Sequence, residues 1–100
     1  MIQVQRSQVN TSSAGPIATA TALASFPDRV GFSIQNQATS ALFVKFGASA
    51  STSNYDIVLK GGAGAADGSG GAIFESGPLV YTGIITVAAS GTPSYSSTDW

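Results

Sequence analysis

The sequence predicts an all-β chain: a small antiparallel β-sandwich or jelly roll of about seven short strands. Three observations lead there. Apolar residues alternate with polar ones at period two through most of the chain, and no segment holds a helical 3.6-residue pattern. Turn signals rich in glycine, proline, serine and asparagine separate these runs at regular spacing. The chain has 100 residues, and its 43% hydrophobic share includes 15 alanines, which leaves 28 larger apolar side chains for one modest core.

Taken in order, Ile2 and Val4 alternate with Gln3 and Gln5 as a short strand suited to an edge. Residues 8–16 read as a polar connection ending in Gly15-Pro16. Residues 17–24 place Ile17, Thr19, Thr21 and Leu23 on one face and four alanines on the other. Alanine favours a helix there, but the threonines and the preceding Gly-Pro favour a strand. A turn at Phe26-Pro27-Asp28 leads into residues 29–35, where Val30, Phe32 and Ile34 point one way and Arg29, Gly31, Ser33 and Gln35 the other. After a turn at 36–40, residues 41–46 present Leu42, Val44 and Phe46 on one face and Ala41, Phe43 and Lys45 on the other. The two strands read as a hairpin with a loop of about five residues.

Residues 47–54 form a small-residue connection. Tyr55, Ile57 and Leu59 then alternate with Asp56, Val58 and Lys60. Six glycines in residues 61–72 forbid a stable strand or helix interior, so the segment is expected to be a mobile or partner-ordered loop. Ile73 and Phe74 resume a short strand, Ser76-Gly77-Pro78 turns it, and residues 79–89 form the last long one. The chain is therefore expected to be one domain over 1–100, with 1–16 as an N-terminal arm and 91–100 as a polar C-terminal tail.

Composition removes whole classes of chemistry. With no histidine and no cysteine there is no Ser-His or thiolate mechanism, no zinc or iron–sulfur ligation and no disulfide. Four basic residues and a net charge of −1 cannot neutralise many phosphates, so nucleic acid is not an expected partner. Residues 79–89 are too short to span a bilayer as a helix, and residues 1–6 lack the apolar core of a signal peptide, so a soluble protein without membrane association is expected.

The glycine segment has no Gly-Lys-Ser/Thr for a phosphate loop, and Asp67 stands where a dinucleotide fingerprint needs glycine. A calcium nonapeptide wants aspartate at Ala66, one residue earlier than Asp67. Five carboxylates could in principle supply a glycosidase pair. Asp28 and Asp67 fall in turns, Asp99 in the tail, and Asp56 and Glu75 beside strands with Lys60 and Lys45 as counter-charges, so nothing clusters. Calcium held by turn carboxylates and carbonyls is a minor alternative. Asn10-Thr11-Ser12 matches a glycosylation sequon by chance. The expectation is a non-enzymatic chain that binds no cofactor and no metal.

The apolar faces say more. Phe43 lies opposite Leu42, Val44 and Phe46, and residues 57–59 and 84–87 are apolar on both faces. Such strands ask for a second cover, which either an oligomer or the chain's own loops would supply. Tyr95 and Trp100, aromatics on a polar terminus, read either as anchors or as residues docking back on their own domain. The candidate partner contacts are therefore Ile2, Val4, Phe43, Tyr95 and Trp100.

The segments Arg29-Val-Gly-Phe-Ser-Ile-Gln-Asn36 and Ala41-Leu-Phe-Val-Lys-Phe-Gly47 resemble a hairpin of small structural proteins of tailed bacteriophages. Tyr55-Asp-Ile-Val-Leu-Lys60 and Tyr81-Thr-Gly-Ile-Ile-Thr-Val87 fit the same pattern. The resemblance spans roughly residues 29–87, rests on strand patterns, and is greatest to capsid decoration (cement) proteins. It implies a virion component made in the host cytoplasm and placed on the capsid surface. Its partners would be the major capsid protein and copies of itself, as a homotrimer. It implies no catalytic residues. The alternative is a receptor- or glycan-binding module of a phage tail or adhesin. That reading needs exposed aromatics, and Tyr55, Tyr81, Tyr95 and Trp100 are widely spaced along the chain.

Overall fold

A computed structural model describes residues 8–13 and 19–100 of the chain. The expected strand at Ile2 and Val4 lies outside the described residues. Those described form eight strands and no helix: β1 (Gln8–Ser13), β2 (Thr19–Leu23), β3 (Gly31–Asn36), β4 (Leu42–Phe46), β5 (Ile57–Leu59), β6 (Ala72–Ser76), β7 (Ile85–Ala88) and β8 (Ser94–Asp99). Two four-stranded sheets run β1-β8-β3-β6 and β2-β7-β4-β5, with every ladder antiparallel. The pairings nest: β1 with β8, β2 with β7, β3 with β6, β4 with β5. That is the jelly-roll form of the expected sandwich, a long hairpin rolled into two layers.

The inward alternation builds the core. Phe32, Ile34 and Tyr95 come from one sheet, and Leu23, Leu42, Val44, Leu59, Ile85 and Val87 from the other. Phe32 meets Phe46 edge to face across the layers, with ring centroids 6.1 Å apart.

Three expectations are corrected. First, β3 and β4 are not a hairpin, because they belong to different sheets. Buried Asn36 makes the connection a crossover. Its side-chain amide donates to the carbonyls of Ser40, Leu59 and Lys60 at 2.8–3.1 Å, and its carbonyl accepts from Ala38 N–H at 2.9 Å. The amide thus turns the chain and ties the end of β5 beneath it.

Second, residues 91–100 are not a tail. Residues 94–99 are β8, lying between β1 and β3. Its inward positions are Tyr95, Ser97 and Asp99, and the polar ones are satisfied from within. Ser97 Oγ donates to Ala22 O at 2.8 Å, and Tyr95 OH to Thr21 O at 3.3 Å, both across the layers. Likewise Gln8–Ser13, read as a connection within the arm, is an edge strand paired along β8.

Third, the glycine segment is ordered within the chain rather than awaiting a partner. Gly62 N–H donates to Ala38 O, Ala66 N–H to Gln37 O, Gly71 N–H to Lys60 O, and Asn36 N–H to Gly71 O. A Cβ on Gly61 would collide with the backbone of Thr39, and one on Gly70 with the carbonyl of Asn36. The glycines are there because two backbones pack face to face.

Candidate functional site: two exposed apolar surfaces

Among the described residues, five large hydrophobic side chains stand exposed, Tyr55, Val58, Phe74, Leu79 and Tyr81, all between residues 55 and 81. They belong to edge strands β5 and β6 or flank them. The opposite edges are β1 and β2. Among the described residues, the large exposed apolar side chains therefore lie on the β5–β6 flank.

On the β2-β7-β4-β5 sheet the expected need for a second cover is met in part by the chain itself. All four residues of β7 are buried. The segment after β4 lies over its outer face: Thr86 Oγ1 donates to Gly47 O at 2.7 Å and accepts from Ala50 N–H at 3.0 Å, and Thr19 Oγ1 donates to Ala50 O. That cover stops short of β4 and β5. There Phe43 pairs across the ladder with Val58, and its ring lies 4.9 Å from that of Tyr55. Val58 is 44% and Tyr55 43% exposed. Lys45 and Asp56 border this patch as an ion pair at 3.6 Å, and Asp56 also accepts from Phe46 N–H at 2.8 Å. β5 is an edge strand, and its far end is already engaged, the Leu59 and Lys60 carbonyls by the Asn36 amide and Lys60 O also by Gly71 N–H, so its free stretch for pairing is the start, at Ile57.

On the other sheet, Trp100 continues β8. Its N–H donates to Gly31 O, and its carbonyl accepts from Val30 and Gly31. The indole lies on Gly31, where any Cβ would overlap the ring. Phe74, 64% exposed, lies 5.4 Å from it, centroid to centroid. Between the sheets at this end, the Arg29 guanidinium donates to Tyr81 O, Gly83 O and Ala24 O and pairs with Asp99. The Tyr81 ring leans on Phe46 at 5.4 Å. Leu79 beside it is 96% exposed.

Of the residues expected to meet partners, Phe43 and Trp100 lie half-buried on opposite outer faces, and Ile2 and Val4 lie outside the described residues. Tyr95 is corrected: at 1% exposure it is a core residue, because β8 is a central strand. Val58, Phe74 and Leu79 were missed as candidates. The outward phase of Phe74 next to inward Ile73 was readable in the alternation, whereas the placement of Leu79 in an irregular stretch was not.

The carboxylates stay dispersed: among the described residues no three His, Cys, Asp or Glu side chains gather as metal ligands would. Asp67 serves its own loop. Its carboxylate accepts from the Ser69 hydroxyl and from Ser69 N–H, and these bonds hold its pKa below the ordinary aspartate value. Ser69 Oγ in turn accepts from Ala63 N–H at 2.7 Å. No family model, curated protein or solved structure matches the chain.

Proposed function

We propose that the chain is a non-enzymatic structural protein of a phage virion, docked in many copies on the capsid surface as a homotrimer that stabilises the shell. The observation that carries this reading is the exposed Phe43–Tyr55–Val58 patch on the outer face beside edge strand β5. Apolar surface of this kind on a small domain is characteristic of an interface. The start of edge strand β5, at Ile57, is where a partner could add main-chain hydrogen bonds. A net charge of −1 offers little repulsion between copies, and repetition over a shell turns weak single contacts into firm attachment. The resemblance of residues 29–87 to decoration proteins supplies the setting; the jelly roll alone does not, since that fold serves capsid and lectin domains alike.

Light scattering is expected to give three times the monomer mass for the chain and one times for the Tyr55→Ser/Val58→Asp variant. Particles stripped of the protein are expected to lose their contents at lower temperature, and added protein to restore them. A monomer at all concentrations, with particles equally heat-resistant with and without it, would sink the reading.

A further inference from the structure

We infer that the outer face of the β1-β8-β3-β6 sheet is a binding site for a neutral oligosaccharide, seated on Trp100 and Phe74. This face belongs to the other layer from the Phe43 patch and does not depend on the virion reading. Register places Trp100 over Gly31 at one end, and Phe74, Ser33 and Thr98 in one row across the middle, from which the Phe74 ring reaches to within 5.4 Å of the indole. Gln35 and Ser96 are paired at the far end. Gln37 Nε2 donates to Ser96 Oγ at 3.1 Å, and Gln35 Nε2 to Gly68 O at 3.2 Å, so the amides are held in place. From Gly31 under the indole to Gln35 is four strand steps, about 13 Å, room for a short run of pyranose rings.

The chemistry selects the ligand. A pyranose ring is apolar on its C–H face and lined with hydroxyls at its rim, so it needs an aromatic surface flanked by uncharged donors and acceptors. Trp100 provides that surface already oriented: its backbone is bonded to Val30 and Gly31, and its indole rests flush on a residue without a side chain. Little ordering is left for binding to cost. Ser33, Thr98, Ser96 and the two glutamines supply hydroxyls and amides that both donate and accept. The outward positions of the described strands carry no charge: Asp99 turns inward to Arg29, and Glu75 sits in register with inward Phe32 at the edge. An anionic glycan or a phosphate would find no counter-charge there. A protein partner of standard interface size would meet a face whose larger apolar positions are Trp100, Phe74 and, in register with Thr98, Val9, among polar ones. Of the four aromatics expected to serve a sugar site, Tyr55 and Tyr81 pair with Phe43 and Phe46 and Tyr95 is buried; the fold instead gives Trp100 a partner in Phe74, because β6 and β8 both flank β3.

Trp100 is the single tryptophan, so its emission reports on the site directly. Cellohexaose, maltohexaose and chitohexaose, titrated separately into the millimolar range, are the probes. At least one is expected to shift the emission saturably, and Phe74→Ala, at a well-exposed position, is expected to weaken that sugar about tenfold without changing the melting temperature. Calorimetry on Trp100→Phe is expected to retain binding, and on Trp100→Leu to lose it. No saturable change with any of the three sugars overturns the inference. So does a response that survives Phe74→Ala, or self-association through this face that Phe74→Ala abolishes.

Discussion

Arg29 and Asp99, 70 residues apart in the chain, form an ion pair sealed inside the protein: guanidinium to carboxylate is 3.2 Å, and the two side chains are 0% and 1% exposed. The same guanidinium gathers three carbonyls, those of Ala24, Tyr81 and Gly83. It thereby fastens the end of β8 to the segments leading into β3 and β7. Removing one partner strands the other charge without solvent, at a cost of about 3–5 kcal/mol. Arg29→Met and Asp99→Leu are each expected to fall in that range by urea denaturation. The double variant is expected to be more stable than the worse single one, because no buried charge is left over. Strictly additive losses would show that the pair does not act as a unit.

Asn36 is expected to be the most demanding polar position of the fold. Its amide donates to three carbonyls from two segments, which aspartate cannot do and alanine merely leaves undone. Asn36→Ala is expected to lose about 2–3 kcal/mol, and Asn36→Asp more, since it turns carboxylate oxygen towards carbonyl oxygen. Thermal melts of the two variants decide it; equal melting temperatures would contradict the donor role.

The glycine loop should respond to acid in a defined window. The Asp67 carboxylate is stabilised by bonds from Ser69, so its pKa is depressed and the order it confers is present above the ordinary aspartate value. That order is lost as pH falls through the depressed value. The Ser69 amide chemical shift is expected to move with a midpoint below about pH 3.9, where a free aspartate is half protonated. In Asp67→Ala the shift is expected to be absent at every pH. A wild-type midpoint at or above the ordinary value would disprove this account.

Gly31→Ala tests the seat of the indole. The new methyl group overlaps the ring, so Trp100 must lift from the sheet, and its emission is expected to move to longer wavelength while far-ultraviolet circular dichroism stays the same. An unchanged spectrum would mean that the indole does not rest there.

How much of this was legible in the sequence depends on where the polar groups find partners. β2 to β6 were readable near their true places, β3 because apolar residues alternate there against polar ones and the others because short runs rich in β-branched or aromatic residues sit between turn signals. β8 escaped notice because both of its faces are largely polar: Ser94, Ser96 and Thr98 outward, Ser97 and Asp99 inward. The inward pair is buried by virtue of Ala22 O and Arg29, contacts from distant segments that local pattern cannot announce. The false hairpin of β3 and β4 had the same origin, since nothing near Asn36 shows that its amide will be claimed by Leu59 and Lys60. Of the candidate surfaces, Phe43 and Trp100 were identified singly, but their neighbours Tyr55 and Phe74 were assigned by the fold.

The nested order of the ladders sets a timetable. Leu42 finds Leu59 across a short stretch of chain, Gly31 finds Ser76 across a longer one, Thr19 finds Ala88 across more still, and Gln8 must find Asp99 across nearly everything. Loop closure grows dearer with each layer, so assembly should run outward from β4–β5 and end when β8 slides between β1 and β3. High average sequence separation also makes such a chain slow, folding in milliseconds to seconds. Until that last insertion, the seat of Trp100 and the buried charge of Arg29 both lie open. Pulse-labelled hydrogen exchange should accordingly protect Val44 before Ser96, and the reverse order would refute the timetable.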